Sequence, residues 1–356
     1  MVANYDCTID VVTLNKNGDE LLFESNEAIN KTIEGVNVHY LPASDSKLGK
    51  AYFSSPVLKK YIQQFKDYDL VHIHMLFNAF STEGALFAIK NKIPFGYSVH
   101  GMLDRFSLTR SKWMKLAHGF FYENKFLKKA SFVHFTTESE KKNAVFPKGI
   151  KPIIIPIGVV FEPFEQYPGI YAQEDLKMVY LSRINRKKGL DLLIKAVGQL
   201  STNIKDRVLL DIFGEDDDNF LPELKSIVRA NQLENIVCFK GKLKPEDRNK
   251  TLQTYDLLVL TSHQENFGLA VAEALDQKIP VLISDKVNLC NEVEEHNCGW
   301  VTTLTEKTIT KKIEEAFRTP KYIRKQMGEA GHKFVRGSFG FDKVGESYWK
   351  LYSEIK

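Results

Sequence analysis

The feature that most constrains this chain is a pattern that runs through it twice. Short apolar runs rich in β-branched residues recur with segments of helical periodicity between them. The first series is CTIDVVTL, GVNVHYL, LVHIHML, IPFGYSVH, SFVHFT and KPIIIPI, interrupted by helix-like stretches such as PVLKKYIQQFK and GALFAIKNK. Strands that alternate with helices belong to a parallel α/β sheet. The pattern then restarts with LKMVYLSR, RVLLDIFG, IVCFKGK, DLLVLTS, IPVLISD and CGWVTT, separated by helices such as GLDLLIKAVGQL and LPELKSIVRANQL. Between the series, from Pro156 to Asp175, proline, glycine and aromatics replace periodic structure.

The expected organisation is therefore α/β with two Rossmann-like halves, residues 1–157 and 158–336. A closing aromatic amphipathic helix, 337–356, follows a break at Gly337 and Gly340 and packs back toward the first half. Two such halves imply a cleft, a preferred place for ligands. The length of 356 residues suits two domains with ample core. Hydrophobic residues at 43% and charged ones at 26% exclude disordered and fibrous classes. No apolar run reaches the roughly 20 residues that span a bilayer, and nothing at the start resembles a secretory signal. Cys7, Cys238, Cys290 and Cys298 fall in no metal-finger spacing, which fits a reducing cytoplasm.

Charge is concentrated in one place. From Arg105 to Lys129, seven basic residues face the single acid Glu123, a net of +6 in a chain whose total is +4. Trp113, Leu116, Ala117, Phe120, Phe121 and Leu127 share one helical face there. Such a helix either packs its apolar face on the sheet or meets an anionic membrane surface, and both can hold at once.

The stretch ENFGLAVAEAL, Glu265 to Leu275, carries the first chemical signal. A buried strand, DLLVL, leads through a polar loop into a helix that opens near Gly268. That helix is apolar on most of its surface yet contains Glu273, and a glutamate in such a place needs a partner. In an open α/β sheet this turn lies at the carboxyl ends of the strands, where the first free N–H groups of a helix suit a phosphate. YLSRINRKKGLDLLIKAV has the same build: a strand ending at Arg183, a basic loop with Lys188, and Gly189 before a helix. Arginine and lysine above one sheet suit a diphosphate. Each turn has an ordinary reading too, a capping glutamate with a paired core glutamate, and a solvated basic loop.

Together these residues resemble the retaining glycosyltransferases of family 4, which have the GT-B fold of two facing Rossmann-like domains with a central cleft and occur in bacterial polysaccharide biosynthesis. The elements that carry the resemblance are SRINRKKGLDLLIKAV, the spacing Glu265-x7-Glu273, the HG pair in YSVHGMLD, and the closing aromatic helix. The resemblance implies transfer of a hexose from a nucleotide-diphosphate sugar (UDP, GDP or ADP) to a glycan or lipid-linked acceptor, with no metal or other cofactor. By that likeness Arg183 and Lys188 hold the diphosphate, Glu273 binds the ribose hydroxyls and is thereby partnered by ligand, and Glu265 with Asn266 meets the donor sugar. Backbone N–H groups of Phe267, Gly268 and Leu269 meet phosphate or sugar oxygens, His100 approaches the sugar from the first domain, and Lys242 and Leu243 lie near the base. The likeness of HGMLDRFSLT to members that build bacterial envelope polysaccharides implies a cytoplasmic enzyme, peripheral at the inner membrane face.

The family's opening strand, glycine-rich loop and helix have no counterpart before CTIDVVTL, which leaves the first sheet one strand short. A non-catalytic nucleotide- or glycan-binding relative that supports a partner enzyme is the alternative on that ground. Two further enzyme readings carry less of the sequence. Asp216, Asp217 and Asp218 suit a divalent ion, or equally an acidic helix entrance, and a nucleotide-sugar epimerase leaves the Arg183, Lys188 and Glu265-x7-Glu273 set unexplained. His72 and His74 share a strand face without an evident third metal ligand. No base-reading module accompanies the basic residues, so nucleic acid is not an expected partner.

Overall fold

The computed structural model describes residues 5–17, 20–109, 123–165 and 175–355. The chain forms two compact units, one of residues 1–156 with 342–356, the other of residues 157–341.

Beside a short antiparallel hairpin, Lys16–Asn17 with Glu20–Leu21, the first unit holds two larger sheets among the described residues. In one, β1 (Asp10–Leu14) pairs in parallel with β3 (Val36–Leu41), which pairs antiparallel with β2 (Ile29–Ile33). In the other, β4 (Val71–His74), β5 (Phe95–Ser98), β6 (Phe132–Phe135) and β7 (Pro152–Ile154) lie in chain order, all parallel. The single first sheet expected from the apolar runs is thus present as two, because no ladder joins β1 to β4 among the described residues. Parallel strands are buried on both faces, and β5 and β6 are buried at every position. Helix α1 (Ala79–Asn91) starts at a capping box in which Asn78 Oδ1 accepts from the Ser81 amide and the Ser81 hydroxyl accepts from the Asn78 amide.

The basic stretch 105–129 falls largely outside the described residues, which resume at 123. Of its apolar face, Trp113, Leu116, Ala117, Phe120 and Phe121 lie there. The described ends are helices Arg105–Thr109 and Asn124–Leu127, and in the latter Phe126 and Leu127 are buried.

The second unit is one six-stranded parallel sheet. Its strands are β8 (Leu176–Leu181), β9 (Val208–Phe213), β10 (Val237–Gly241), β11 (Leu257–Leu260), β12 (Val281–Ser284) and β13 (Gly299–Thr302). The spatial order is β10, β9, β8, β11, β12, β13. The order reverses between β8 and β11, so the crevice that such sheets use for ligands opens at the carboxyl ends of those two strands. Helices α2 (Leu190–Gly198) and α3 (Leu269–Asp276) follow them directly and bury Leu193, Val197, Val271 and Leu275 in the core.

The chain closes with α4 (Lys321–Phe339) and α5 (Phe341–Ser353). The expected break at both glycines is corrected: Gly337 lies inside α4, where a Cβ would meet nothing, and the helix ends only at Gly340, whose ψ of 135° is extended. Val344 and Leu351 of α5 pack with Phe132 and Ile155 of the first unit to which they belong. Among the described residues, no helix is long and apolar enough to cross a membrane.

Candidate functional site

Two turns at the switch point of the second unit carry most of the expected residues. After β8, Asn185 caps a 3-10 turn, Arg186–Lys188, by accepting from the Lys187 amide. Gly189 then enters α2 in the left-handed region, φ 63°, with its Cα so near the carbonyl of Thr261 that a Cβ would lie 2.1 Å from that oxygen. Only glycine meets both conditions. The second turn is stitched to the first: the His263 amide donates to the Lys187 carbonyl (2.8 Å), and the Thr261 hydroxyl donates to the Gly189 carbonyl (2.9 Å). Glu265 is fixed by its own backbone, donating to Lys286 O (3.1 Å) and accepting from Asn288 N (3.1 Å).

This stitching brings Lys188 and Glu265 together as an ion pair, with side chains 12% and 20% exposed. Phe267 points inward, only 2% exposed, and meets Phe339 edge-on at 4.9 Å. Gly268 caps α3 at φ 83°, and no side chain caps that helix. The amides of Phe267, Gly268 and Leu269 give no hydrogen bond among the described residues. Three such donors at a helix start form an anion-suited nest.

The remaining cations are also held by carboxylates. Arg183, 71% exposed, donates to Asp217 Oδ2 (2.5 Å), whose other oxygen accepts from Asn185 (3.0 Å). Asp216 instead accepts from the amides of Phe220 (2.9 Å), Leu221 (3.0 Å) and Asp218 (3.3 Å), and these bonds hold its carboxyl below the usual carboxylate range. Asp218 accepts from the Arg186 amide (3.3 Å). The three aspartates therefore serve a helix entrance and the basic loop, each on its own partners. Lys242 is exposed and pairs with Glu215 (3.1 Å), and Leu243 beside it is half-buried.

Glu273 departs from the expectation that ligand alone partners it. Its Oε1 accepts from Arg248 Nη1 at 2.5 Å. Burial raises its pKa, and the guanidinium opposes that rise. Arg248 opens the short helix Arg248–Leu252 between β10 and β11, and sequence reasoning missed it because no periodic pattern marks that segment.

His100 belongs to the first unit, just past β5, with φ 47° and an exposed ring. Its Nε2 lies 3.0 Å from His74 Nδ1. The loop behind it is clamped by Glu140, a buried residue that the sequence did not single out. One oxygen of Glu140 accepts from the Gly101 amide (2.6 Å), the other from the Thr136 amide (2.6 Å) and hydroxyl (2.8 Å). His72 is satisfied within the fold by Ser98 (2.8 Å) and Tyr352 (2.5 Å).

A doubly wound sheet with anion-suited turns at its switch point defines a class of α/β protein that holds ligands at the carboxyl ends of its strands. The model of glycosyltransferase family 4 matches residues 3–162, and that of the group 1 glycosyl transferases matches residues 168–334. The chain belongs to the family 4 glycosyltransferases, and its fold is GT-B. It is similar to the lipopolysaccharide glucosyltransferase WaaG of Escherichia coli, 27% identical over 52% of this chain and 48% of the relative. It thus spans about half the length of the curated relatives it matches. Among solved structures, sucrose-phosphate synthase of Thermosynechococcus elongatus superposes with a TM-score of 0.73 at 17% identity, over 99% of this chain and 90% of that one. HepE of Anabaena, solved with UDP-glucose, superposes with a TM-score of 0.69 at 18% identity, over 89% and 86%.

Proposed function

We propose that this protein transfers a hexose from a nucleotide-diphosphate sugar to a glycan or lipid-linked acceptor, with retention of configuration. The observation that carries this reading is the convergence at one switch point of Arg183, Lys188, the open amides of Phe267 to Leu269, and the carboxylates of Glu265 and Glu273. The two cations stabilise the charge that develops on the departing nucleoside diphosphate, a task that needs fixed positive groups where the charge appears. They supply it without a metal. Glu265 binds donor hydroxyls, and the leaving phosphate assists attack on the same face of the sugar through an oxocarbenium-like transition state. His100 meets the transferred sugar, and Lys242 with Leu243 meets the base.

The UDP-glucose bound to HepE and the lipopolysaccharide role of WaaG support a nucleotide-sugar donor and an envelope polysaccharide product. In this reading the basic stretch 105–129 rests on the inner membrane face, where a lipid-linked acceptor is presented.

The test is a thermal-shift panel of UDP, GDP and ADP with their common sugar conjugates, in chelator, on wild type and on Arg183→Ala with Lys188→Ala. A ligand at about 100 times its dissociation constant adds about 2.7 kcal/mol of stability. One nucleotide is expected to stabilise the wild type and not the double variant. Loss of binding in chelator counts against the metal-free mechanism. Binding without product from a labelled donor supports the non-catalytic alternative.

A further inference from the structure

Arg248 is a residue whose geometry the donor-site reading leaves unexplained. It is 33% exposed, opens its own short helix, and reaches Glu273 across 25 positions of chain. Glu273 sits on a helix whose neighbouring Val271, Ala272, Ala274 and Leu275 are all buried. An apolar pair of similar volume commonly packs in such a place as well as an ion pair or better. Core packing therefore does not explain the carboxylate, and something else in that position needs it.

Two open valences point to what that is. Glu273 uses only Oε1 on Arg248, and Oε2 makes no hydrogen bond among the described residues. Arg248 Nε is buried and also has no partner among them. A buried donor left unmade is costly unless a ligand or water takes it. Oε2, unlike Nε, is not buried, and so stands open to accept from a ligand.

We propose that Arg248 is the positioning residue for recognition of the nucleotide's ribose: it grips one oxygen of Glu273 so that the other stands fixed as acceptor for the 2′ and 3′ hydroxyls. This inference rests on the donor-site reading above. Arg248 acts through Glu273 rather than on the reacting atoms, and what it supplies is orientation and an ionised acceptor. Hydroxyls donating to a charged acceptor form the stronger class of hydrogen bond.

The experiment compares UDP, GDP and ADP with their 2′,3′-dideoxy counterparts by calorimetric titration of wild type, Arg248→Gln, Arg248→Lys and Glu273→Gln. Wild type is expected to prefer the tightest ribonucleotide over its dideoxy form by about ten- to hundredfold. In Arg248→Gln and Glu273→Gln that preference is expected to fall below about threefold, with dideoxy binding unchanged, and Arg248→Lys restores most of it. The acid limb of ribonucleotide binding moves to higher pH in Arg248→Gln, since burial then raises the Glu273 pKa unopposed. An Arg248→Gln variant that discriminates as wild type does, or that loses both nucleotides equally, overturns the proposal. A wild type that binds no nucleotide overturns the donor-site reading itself, whereas intact wild-type binding with undiminished discrimination in Arg248→Gln overturns this inference alone.

Discussion

Lys188 and Glu265 form an ion pair that joins the two central turns of the second unit, each side chain at most one-fifth exposed. Each turn approaches the other closely only because Gly189 lacks a side chain against the Thr261 carbonyl. The pair is thus both a tie in the fold and a cation–carboxylate couple at the ligand end of the sheet.

Removal of one member leaves a half-buried charge unpaired. Lys188→Met and Glu265→Gln are each expected to cost about 2 kcal/mol, less than the roughly 3–5 kcal/mol of a fully buried pair. The double variant should cost less than the sum of the two, because the second change removes the orphan left by the first. Chemical denaturation of the three variants measures this. Strictly additive costs would mean that the two charges do not couple.

Asp217 pairs with Arg183, the residue to which the proposed function gives the donor's diphosphate. A donor must displace that contact, so Asp217→Asn is expected to bind nucleoside diphosphate more tightly. Exposed pairs are typically worth about 0.2–1 kcal/mol, so the gain is at most about fivefold. The advantage shrinks with added salt, as surface electrostatics are screened. Titrations at low and high ionic strength decide it, and weaker binding by Asp217→Asn would show that the aspartate orders Arg183 rather than competes for it.

The backbone frame of this site was legible in the sequence because its signals are local. A buried strand, a short basic or acidic loop and a glycine before a helix lie within about twenty consecutive positions. The partners were not legible, since Arg183 meets Asp217 across 34 positions and Glu273 meets Arg248 across 25, with no periodicity to link them. Glu140 was missed for the same reason: its service to Gly101 crosses 39 positions and is made through backbone amides, which no residue type advertises. The division of the first unit's apolar strands between two sheets was hidden as well. A strand's sequence shows that it is buried, not which neighbour it pairs with.

Acid is expected to destabilise the first unit through its histidines. His134 Nε2–H donates to Ile155 O (2.6 Å), so its Nδ1 accepts from the Ser98 hydroxyl (2.7 Å). Ser98 in turn accepts from His72 Nε2–H (2.8 Å), and His72 Nδ1 accepts from Tyr352 of α5. Every tautomer in this chain follows from the carbonyl at its end, and each ring must be neutral. Burial depresses His134 to about 4 and His72 well below the ordinary value, with His74 and His100 adding like charge. A depressed histidine contributes stability that is complete above its unfolded pKa near 6.5 and is lost as pH falls toward the folded value. For His134, which is 2% exposed, the loss is on the order of 3 kcal/mol by pH 4. Denaturation between pH 7 and 4 should show this loss, and His134→Gln should flatten the profile. An unchanged slope in that variant would rule out His134 as its source.

Glu140 sets the backbone from which His100 projects. Its two oxygens collect three donors, from Gly101 and from the amide and hydroxyl of Thr136, and so lock the turn after β5 to the one after β6. Burial raises the pKa of Glu140, and those three bonds oppose the rise. Glu140→Gln keeps the shape but replaces one acceptor oxygen with a donor that faces an amide or hydroxyl donor. A buried polar group left unmade costs roughly 1–3 kcal/mol, so the variant is expected to lose about that much stability. His100 holds a left-handed φ of 47°, which a non-glycine residue keeps only when its surroundings impose it. Loosening the turn should therefore let His100 relax. If His100 meets the transferred sugar, kcat falls in Glu140→Gln while the affinity for nucleoside diphosphate, which the proposed function assigns to residues of the second unit, stays as in wild type. A variant that lowers both in proportion has lost folded protein, whereas one that lowers neither shows that the clamp does not govern His100.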